Sequence, residues 1–321
     1  MVSFRAFSVP IDIRALGTAT VYYVETGSGK YLVDSGMKPG TLHILEKHGI
    51  PVSDLNMIIL THLHIDHIGG AMEIRRRYNT PIMIGKEDYR IIEDMTGDPE
   101  SFTGRMRDFY LSNGSDRDLL MSMLDNHPVT RSIQIYREME FDFTPHGDHM
   151  INGENELRIM ATPGHSPGSM SPYVQGDMIF SGDHILPRIT PNISFYVNGG
   201  NMLSMYIRSL EKVRSHHFRS YNPGHGNPSH DTDMRINEIL EHHEKRLSEV
   251  TNIISSGKKN ALDVAMEMTW SRKRKFSDLN LHEMNFAFGE AVAHLRYLES
   301  IGKAEASDVN GIILYSSSSE I

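Results

Sequence analysis

The chain has 321 residues with no cysteine and 18 histidines, and 41 acidic against 32 basic side chains give it a formal net charge of −9. Without Cys there is no disulfide framework, no Cys-ligated zinc finger or iron–sulfur centre and no thiol nucleophile, so any transition-metal site must use imidazole and carboxylate ligands. At about 100–200 residues per domain the length implies two domains or one large domain with an appendage, and 39% hydrophobic with 23% charged residues fits a globular protein rather than a basic nucleic-acid binder.

The opening segment, MVSFRAFSVPIDIRALG, has no apolar core of signal-peptide length, and no stretch of roughly 18 apolar residues follows it. A cytoplasmic location without membrane attachment is the expectation. Two β-rich segments flank Thr26-Gly27-Ser28-Gly29, which predicts a hairpin. A short helix over 42–48 and a buried strand over 57–60 come next, and the strand runs straight into Thr61 and His62. Gly69-Gly70-Ala71 then opens a helix through Arg77, and 81–84 is another strand, completing a β-loop-α-β unit. From about 86 to 140 the rhythm changes, because Tyr89, Ile91, Ile92, Met95, Leu119, Leu120, Met123 and Leu124 fall at helical spacing. This stretch reads as a helical insertion.

Strand signals return at 157–160 and 178–180, each followed by a small-residue turn carrying polar groups. Beyond Asn227-Pro228, the residues Ile236, Ile239, Leu240, His243, Leu247, Val250 and Ile254 recur at three and four, as on a long amphipathic helix. Further helices are predicted over 261–270 and 282–298, and a small hairpin over 302–315. The organisation expected is an α/β catalytic domain over 1–230 and a helical or winged-helix-like module over 231–321.

The chemistry concentrates in Thr61-His62-Leu63-His64-Ile65-Asp66-His67-Ile68-Gly69-Gly70. Four potential ligands sit within six residues at the end of a buried strand. The alternate spacing of His62 and His64 lets two imidazoles converge from an extended segment, while Asp66 and His67 point elsewhere and can serve a second ion. This His-x-His-x-Asp-His pattern resembles the metallo-β-lactamase superfamily, and three further motifs follow in the family's order. They are Thr162-Pro163-Gly164-His165-Ser166-Pro167-Gly168-Ser169, Phe180-Ser181-Gly182-Asp183 and Asn222-Pro223-Gly224-His225-Gly226. The resemblance covers roughly residues 10 to 230, apart from the insertion.

What the resemblance implies is a four-layer αβ/βα sandwich holding two divalent metal ions. His62, His64 and His165 would hold the first, Asp66, His67 and His225 the second, with Asp183 between them. Zinc is the expected metal, and iron or manganese suits the same ligands. Two such ions with two ionised aspartates favour a bridging hydroxide as nucleophile, and Asp66 could pass a proton to the leaving group. Asp34 matches a family position that supports a ligand histidine, its alternative being a turn-forming role. His184 is a candidate donor to a substrate oxygen, against core packing. Tyr196 is a candidate phenol near the leaving oxygen, although its spacing from Asp183 is longer than in related lactonases.

The family offers two hydrolytic chemistries: a small lactone, thioester or related acyl bond, or a phosphodiester in single-stranded RNA. The C-terminal module resembles that of the lactamase-beta-2-like branch, some of whose members cut RNA. Yet residues 231–321 carry 11 basic and 15 acidic side chains, a net of −4, with Arg272-Lys273-Arg274-Lys275 the one basic run. Nucleic-acid affinity rests on several clustered phosphate contacts. A small-molecule acyl substrate is therefore the expectation, with RNA cleavage and non-catalytic metal binding as alternatives. Met95, Phe102, Met106, Phe109, Tyr110, Met121 and Met123 give the insertion an adaptable apolar surface, which suits a lid, a packing element or a homodimer interface.

Overall fold

Residues 3–10, 18–37, 40–115, 128–151 and 156–318 are described in a computed structural model. Leu119, Leu120, Met121, Met123 and Leu124 lie outside them. Compactness divides the chain into two units, one of 1–96, 134–191 and 206–238 and another of 97–133, 192–205 and 239–321.

The first unit contains two sheets. Strands β1 (Ser3–Pro10), β2 (Thr18–Glu25), β3 (Lys30–Val33), β4 (Met57–Ile59) and β5 (Ile82–Met83) lie in chain order, antiparallel from β1 to β3 and parallel from β3 to β5. The hairpin expected at Thr26–Gly29 joins β2 to β3, and Thr26 Oγ1 accepts from the Ser28 and Gly29 amides at 3.1 and 3.0 Å. Parallel neighbours need crossovers, and the helices Thr41–Lys47 and Ala71–Tyr78 supply them. The second sheet has the order β11-β10-β9-β8-β7-β6. Its members are β6 (His149–Met150), β7 (Arg158–Ala161), β8 (Met170–Val174), β9 (Met178–Gly182), β10 (Ser220–Pro223) and β11 (Ser229–His230), with β9 and β10 parallel across the Met202–Arg214 helix.

The core of this unit lies between the sheets. Tyr22, Val24, Tyr31, Val33, Ile59 and Met83 from the first meet Leu157, Ile159, Met170 and Phe180 from the second. Phe180 is edge-on to Tyr22 at 5.2 Å, and the Tyr22 hydroxyl donates to the Pro223 carbonyl at 2.7 Å, satisfying the polar end of a buried ring. Strand β1, strand β8 and the 202–214 helix have no counterpart in the element reading above, although Leu203, Tyr206, Leu210 and Val213 are wholly buried at helical spacing.

The insertion is helical where described, as Lys86–Gly97, Pro99–Ser112 and Pro128–Glu138. It is not one piece, however, and the compact units do not follow a single cut at 230. Phe109 stacks on Phe195 at 4.1 Å, and Tyr110 stacks on Phe288 at 4.9 Å with its hydroxyl bonded to Asn285, so 97–133 belongs with the C-terminal residues.

In the second unit these aromatic rings join Val250, Ile254, Ala265, Trp270, Val292 and Leu295. The long helix is Thr232–Ser255, and Leu281–Ser300 follows with an Asn280–Glu283 capping box. The helix expected over 261–270 stops at Glu267, because Met268 turns extended (ψ 151°) and the Trp270 amide donates instead to the Arg274 carbonyl at 3.0 Å. Strands β12 (Ala304–Val309) and β13 (Ile312–Ser317) form the expected hairpin.

His243 and His294 are buried together in this unit, Nδ1 of one 3.2 Å from Nε2 of the other, and His294 Nδ1 is 2.7 Å from the Glu290 carbonyl. Burial lowers both imidazoles; His294, His242 and Arg246 lower His243 further, while Glu290 opposes the fall at His294. The unfolded chain therefore takes up protons below about pH 6.5 while the folded pair resists them. The contribution of this pair to stability is expected to be flat above that pH and to fall below it, by about 1.4 kcal/mol per unit of depression per ring. Urea melts from pH 8 to pH 5, followed by fluorescence of the single tryptophan, Trp270, report on this unit. A His294→Leu variant is expected to flatten the profile, and an unchanged slope would contradict the assignment.

Candidate metal centre

Three parallel strands deliver the site from one edge of the first sheet. Asp34 follows the end of β3, Thr61 and His62 follow β4, and Asp88 follows β5. Beyond His64 the chain does not stay a loop: Ile65–Ile68 closes one helical turn, which swings Asp66 and His67 away from the extended His62-x-His64 segment. From the second sheet, His165 leaves the turn between β7 and β8, Asp183 follows β9 and His225 follows β10.

All seven predicted ligands come together. His62 Nε2 and His165 Nε2 each lie 3.0 Å from His64 Nδ1. On the other side His225 Nε2 is 3.2 Å from Asp66 Oδ2, and His67 Nε2 is 3.8 Å from the same oxygen. Asp183 reaches both sides, with Oδ2 at 3.7 Å from His165 and 3.4 Å from His225, and Oδ1 at 3.5 Å from His67. Donor atoms therefore cluster as His62/His64/His165, His62/His67/Asp183 and Asp66/His67/His225, each within 4.8 Å. His67 Nε2, His225 Nε2 and Asp183 Oδ1 are fully covered and make no hydrogen bond among the described residues. Leaving buried polar atoms unsatisfied costs about 1–3 kcal/mol each, and three that converge from three segments fit a divalent cation.

The two sides differ electrostatically. Burial, and then the neighbouring His67, His64 and His165, hold His62 well below its usual range, and burial takes His64 down to about 3. Burial also works against His67 and His225. There Asp34, Asp183 and Asp66 outweigh it and lift His67 to about 9, and Asp183 and Asp66 lift His225 to about 11. Burial likewise opposes ionisation of Asp66 and Asp183, but the same imidazoles hold Asp66 at about 2 and Asp183 well below a carboxylate's usual range. In the protein alone, protons on His67 and His225 supply the positive charge that the two carboxylates demand.

Supporting contacts orient the rings. Asp34 Oδ2 lies 2.7 Å from His67 Nδ1, and Asp34 also accepts from the Thr61 amide and hydroxyl at 2.8 and 3.0 Å. Its backbone is left-handed (φ 61°), a conformation uncommon outside glycine. His225 Nδ1 is 3.0 Å from the Thr18 carbonyl. His184 is buried, packed edge-on against Tyr206 at 5.1 Å, and burial takes its imidazole down to about 3. Tyr196 belongs to the second compact unit, whereas the ligand cluster belongs to the first.

One carboxylate escaped the sequence reading. Asp88 is fully buried and accepts from the Leu63 amide at 2.8 Å, the Ser166 hydroxyl at 2.6 Å and the Gly168 amide at 2.6 Å. Burial pushes its carboxyl up to about 7, while those three donors pull it back. The available signal was positional: like Asp34, it follows closely on the end of a parallel strand.

Residues 14–216 match the Metallo-beta-lactamase superfamily, and residues 247–318 match the Metallo-beta-lactamase-like, C-terminal domain. The chain belongs to the metallo-beta-lactamase superfamily. The His/Asp cluster is its candidate metal site. Among curated relatives, Probable metallo-hydrolase YqgX of Bacillus subtilis is 30% identical over 44% of this chain and 53% of its own length. Beta-lactamase-like protein 2 homolog of Caenorhabditis elegans is 26% identical over 74% of this chain and 65% of its own length, which supports the expected branch. This chain thus covers less than two thirds of either relative. A beta-lactamase domain protein from Burkholderia ambifaria has the same fold, with a TM-score of 0.80 at 24% identity over 98% of this chain and 92% of that one. A metallo-beta-lactamase family protein from Thermus thermophilus gives 0.76 at 23% identity over 98% of both chains. Among the described residues no helix is long and apolar enough to cross a membrane.

A Cβ added at Gly224 would lie 2.5 Å from both Asp183 Oδ1 and His67 Cε1. Gly224→Ala is therefore expected to weaken divalent-metal binding by at least about tenfold while the far-UV circular dichroism stays unchanged. Titration against a chromophoric chelator checks this, and unaltered affinity would contradict the packing argument.

Proposed function

We propose that this chain is a hydrolase holding two divalent ions that cleaves a small ester-like bond, in a lactone, a thioester or a related acyl compound. The observation that carries the reading is the placement of Asp183, whose two oxygens lie within 3.7 Å of nitrogens from both ligand groups. His62, His64 and His165 would hold one ion, Asp66, His67 and His225 the other, and Asp183 would be shared. Zinc is the expected metal, with iron or manganese compatible. Ions in these positions would supply Lewis-acid polarisation of the substrate and activation of water, which removes the need for a protein nucleophile in a chain without cysteine.

The chain's own groups divide the remaining work. His62 and His67 form the closed floor of the site, at 1% and 0% exposure, whereas Asp66, His165, Asp183 and His225 keep 6–9% and face the accessible side. Asp66, whose Oδ2 lies 3.2 Å from His225 Nε2, would be the carboxylate that carries a proton to the leaving group. Charge favours a small substrate over a polyanion. The 231–321 segment is net negative, and within its basic run Arg274 is already paired with Glu283 at 2.7 Å.

A panel of a lactone, S-lactoylglutathione, nitrocefin, bis-p-nitrophenyl phosphate and a single-stranded RNA tests the reading on metal-loaded protein. Turnover of an acyl substrate is expected, together with two metal equivalents per chain and a loss of at least about 100-fold in His64→Ala. Turnover confined to RNA or the phosphodiester would replace the acyl reading. A folded His64→Ala variant with full activity would sink the metal-dependent one.

A further inference from the structure

The tri-histidine group is assembled from two segments about a hundred residues apart, His62 and His64 after β4 and His165 after β7, joined covalently only through the intervening chain. Its geometry therefore depends on whatever ties the segments together. Leu63, between the two histidines, donates its amide to Asp88 Oδ2 at 2.8 Å, and Ser166, next to His165, donates its hydroxyl to the same oxygen at 2.6 Å. The other oxygen accepts from the Gly168 amide at 2.6 Å. The clamp is closely packed: a Cβ on Gly168 would lie 2.4 Å from the Asp88 nitrogen, and one on Gly85 would lie 2.0 Å from the Gly168 carbonyl oxygen. On the opposite side, the direct carboxylate contact to His67 comes from Asp34.

We propose that Asp88 is the positioning residue of the tri-histidine half of the site, setting the metal affinity of His62, His64 and His165 and leaving the Asp66/His67/His225 half alone. This rests on the metal reading above. The physical case is donor arithmetic. Three donors converge on one side chain, and only a carboxylate offers acceptors in every direction. An amide in its place must point its own N–H groups at a buried donor, which loosens one segment or the other. The fold does not hang on this clamp, because the Met170 amide separately donates to the Thr61 carbonyl at 2.8 Å.

The test uses zinc as probe and chelator competition as readout, with circular dichroism to establish folding. Asp88→Asn is made in two backgrounds, His225→Ala, which leaves the tri-histidine half, and His64→Ala, which leaves the other. In the first it is expected to weaken the remaining zinc by about 10–100-fold, and in the second to change nothing. Equal weakening in both backgrounds, as a general structural defect produces, would overturn the proposal, and so would no weakening in either. Should Asp88→Asn fail to fold, Ser166→Ala removes one donor from the same oxygen and is expected to reproduce the asymmetry in weaker form; its absence would overturn the proposal equally. Wild-type protein that takes up no zinc would sink the metal reading and this one together. Wild-type protein with two zinc equivalents and a symmetric response to Asp88→Asn would sink this one alone.

Discussion

Two ionised carboxylates, Asp66 and Asp183, are buried where water does not solvate them well, and much of the site is arranged around offsetting that cost. Desolvation alone would keep both protonated. Their charge survives because His67 and His225 lie within 3.8 Å, and because Asp34 in turn stabilises a charged His67 from behind. The chain is thus built for positive charge at a particular place. Protons on two imidazoles are one way to supply it, and a divalent cation held by the same oxygens and nitrogens would be another.

Topology explains how so many polar groups reach one place without unfolding the core. The strands end at the site, so each brings its polar residues only after its apolar stretch has been buried: Met57, Ile58 and Ile59 precede Thr61 and His62, and Met178, Ile179 and Phe180 precede Asp183. Residues after the carboxyl ends of neighbouring strands converge for the same reason that open α/β sheets bind ligands there. Glycines finish the approach. Gly182 is left-handed (φ 50°) with Thr61 against it, and Gly224 leaves room for Asp183 and His67 to meet.

The clustering of the seven candidate ligands was legible in the sequence because its information is local. A histidine pair at alternate positions, a glycine beside each later ligand and a strand before each motif are all short-range features, and each of the seven residues found its partners. Supporting groups were legible only in part. Asp34 sits in a recognisable strand-end turn, but Asp88 serves Leu63, Ser166 and Gly168, partners separated from it by 25, 78 and 80 positions. No local pattern encodes such a convergence. The insertion is helical where described, as expected, but what each part packs against was not legible, for a related reason. Its helical period is the same on both sides of Gly97, yet Asp88 answers to the ligand loops and Tyr110 to Phe288 and Asn285. Periodicity states that a helix has a buried face and is silent on which core buries it.

The asymmetry between the two halves bears on the chemistry proposed. Burial lowers His62 and His64, and the tri-histidine group brings no carboxylate of its own, so an ion held there would be balanced only through Asp183, while Asp66 belongs to the other half. Two divalent ions against two aspartates would leave the centre net positive in a shielded pocket, where charge acts over short distances with little screening. Such a centre favours a reaction whose transition state gathers negative charge on oxygen, as acyl hydrolysis does. It gives no reason to favour a substrate that is already a polyanion, since the attraction is confined to the pocket and the rest of the chain carries a net charge of the opposite kind. A metal-loaded centre of that charge, in a chain of net −9, would suit the acyl substrate proposed above: compact, close to neutral, and charged only as it reacts.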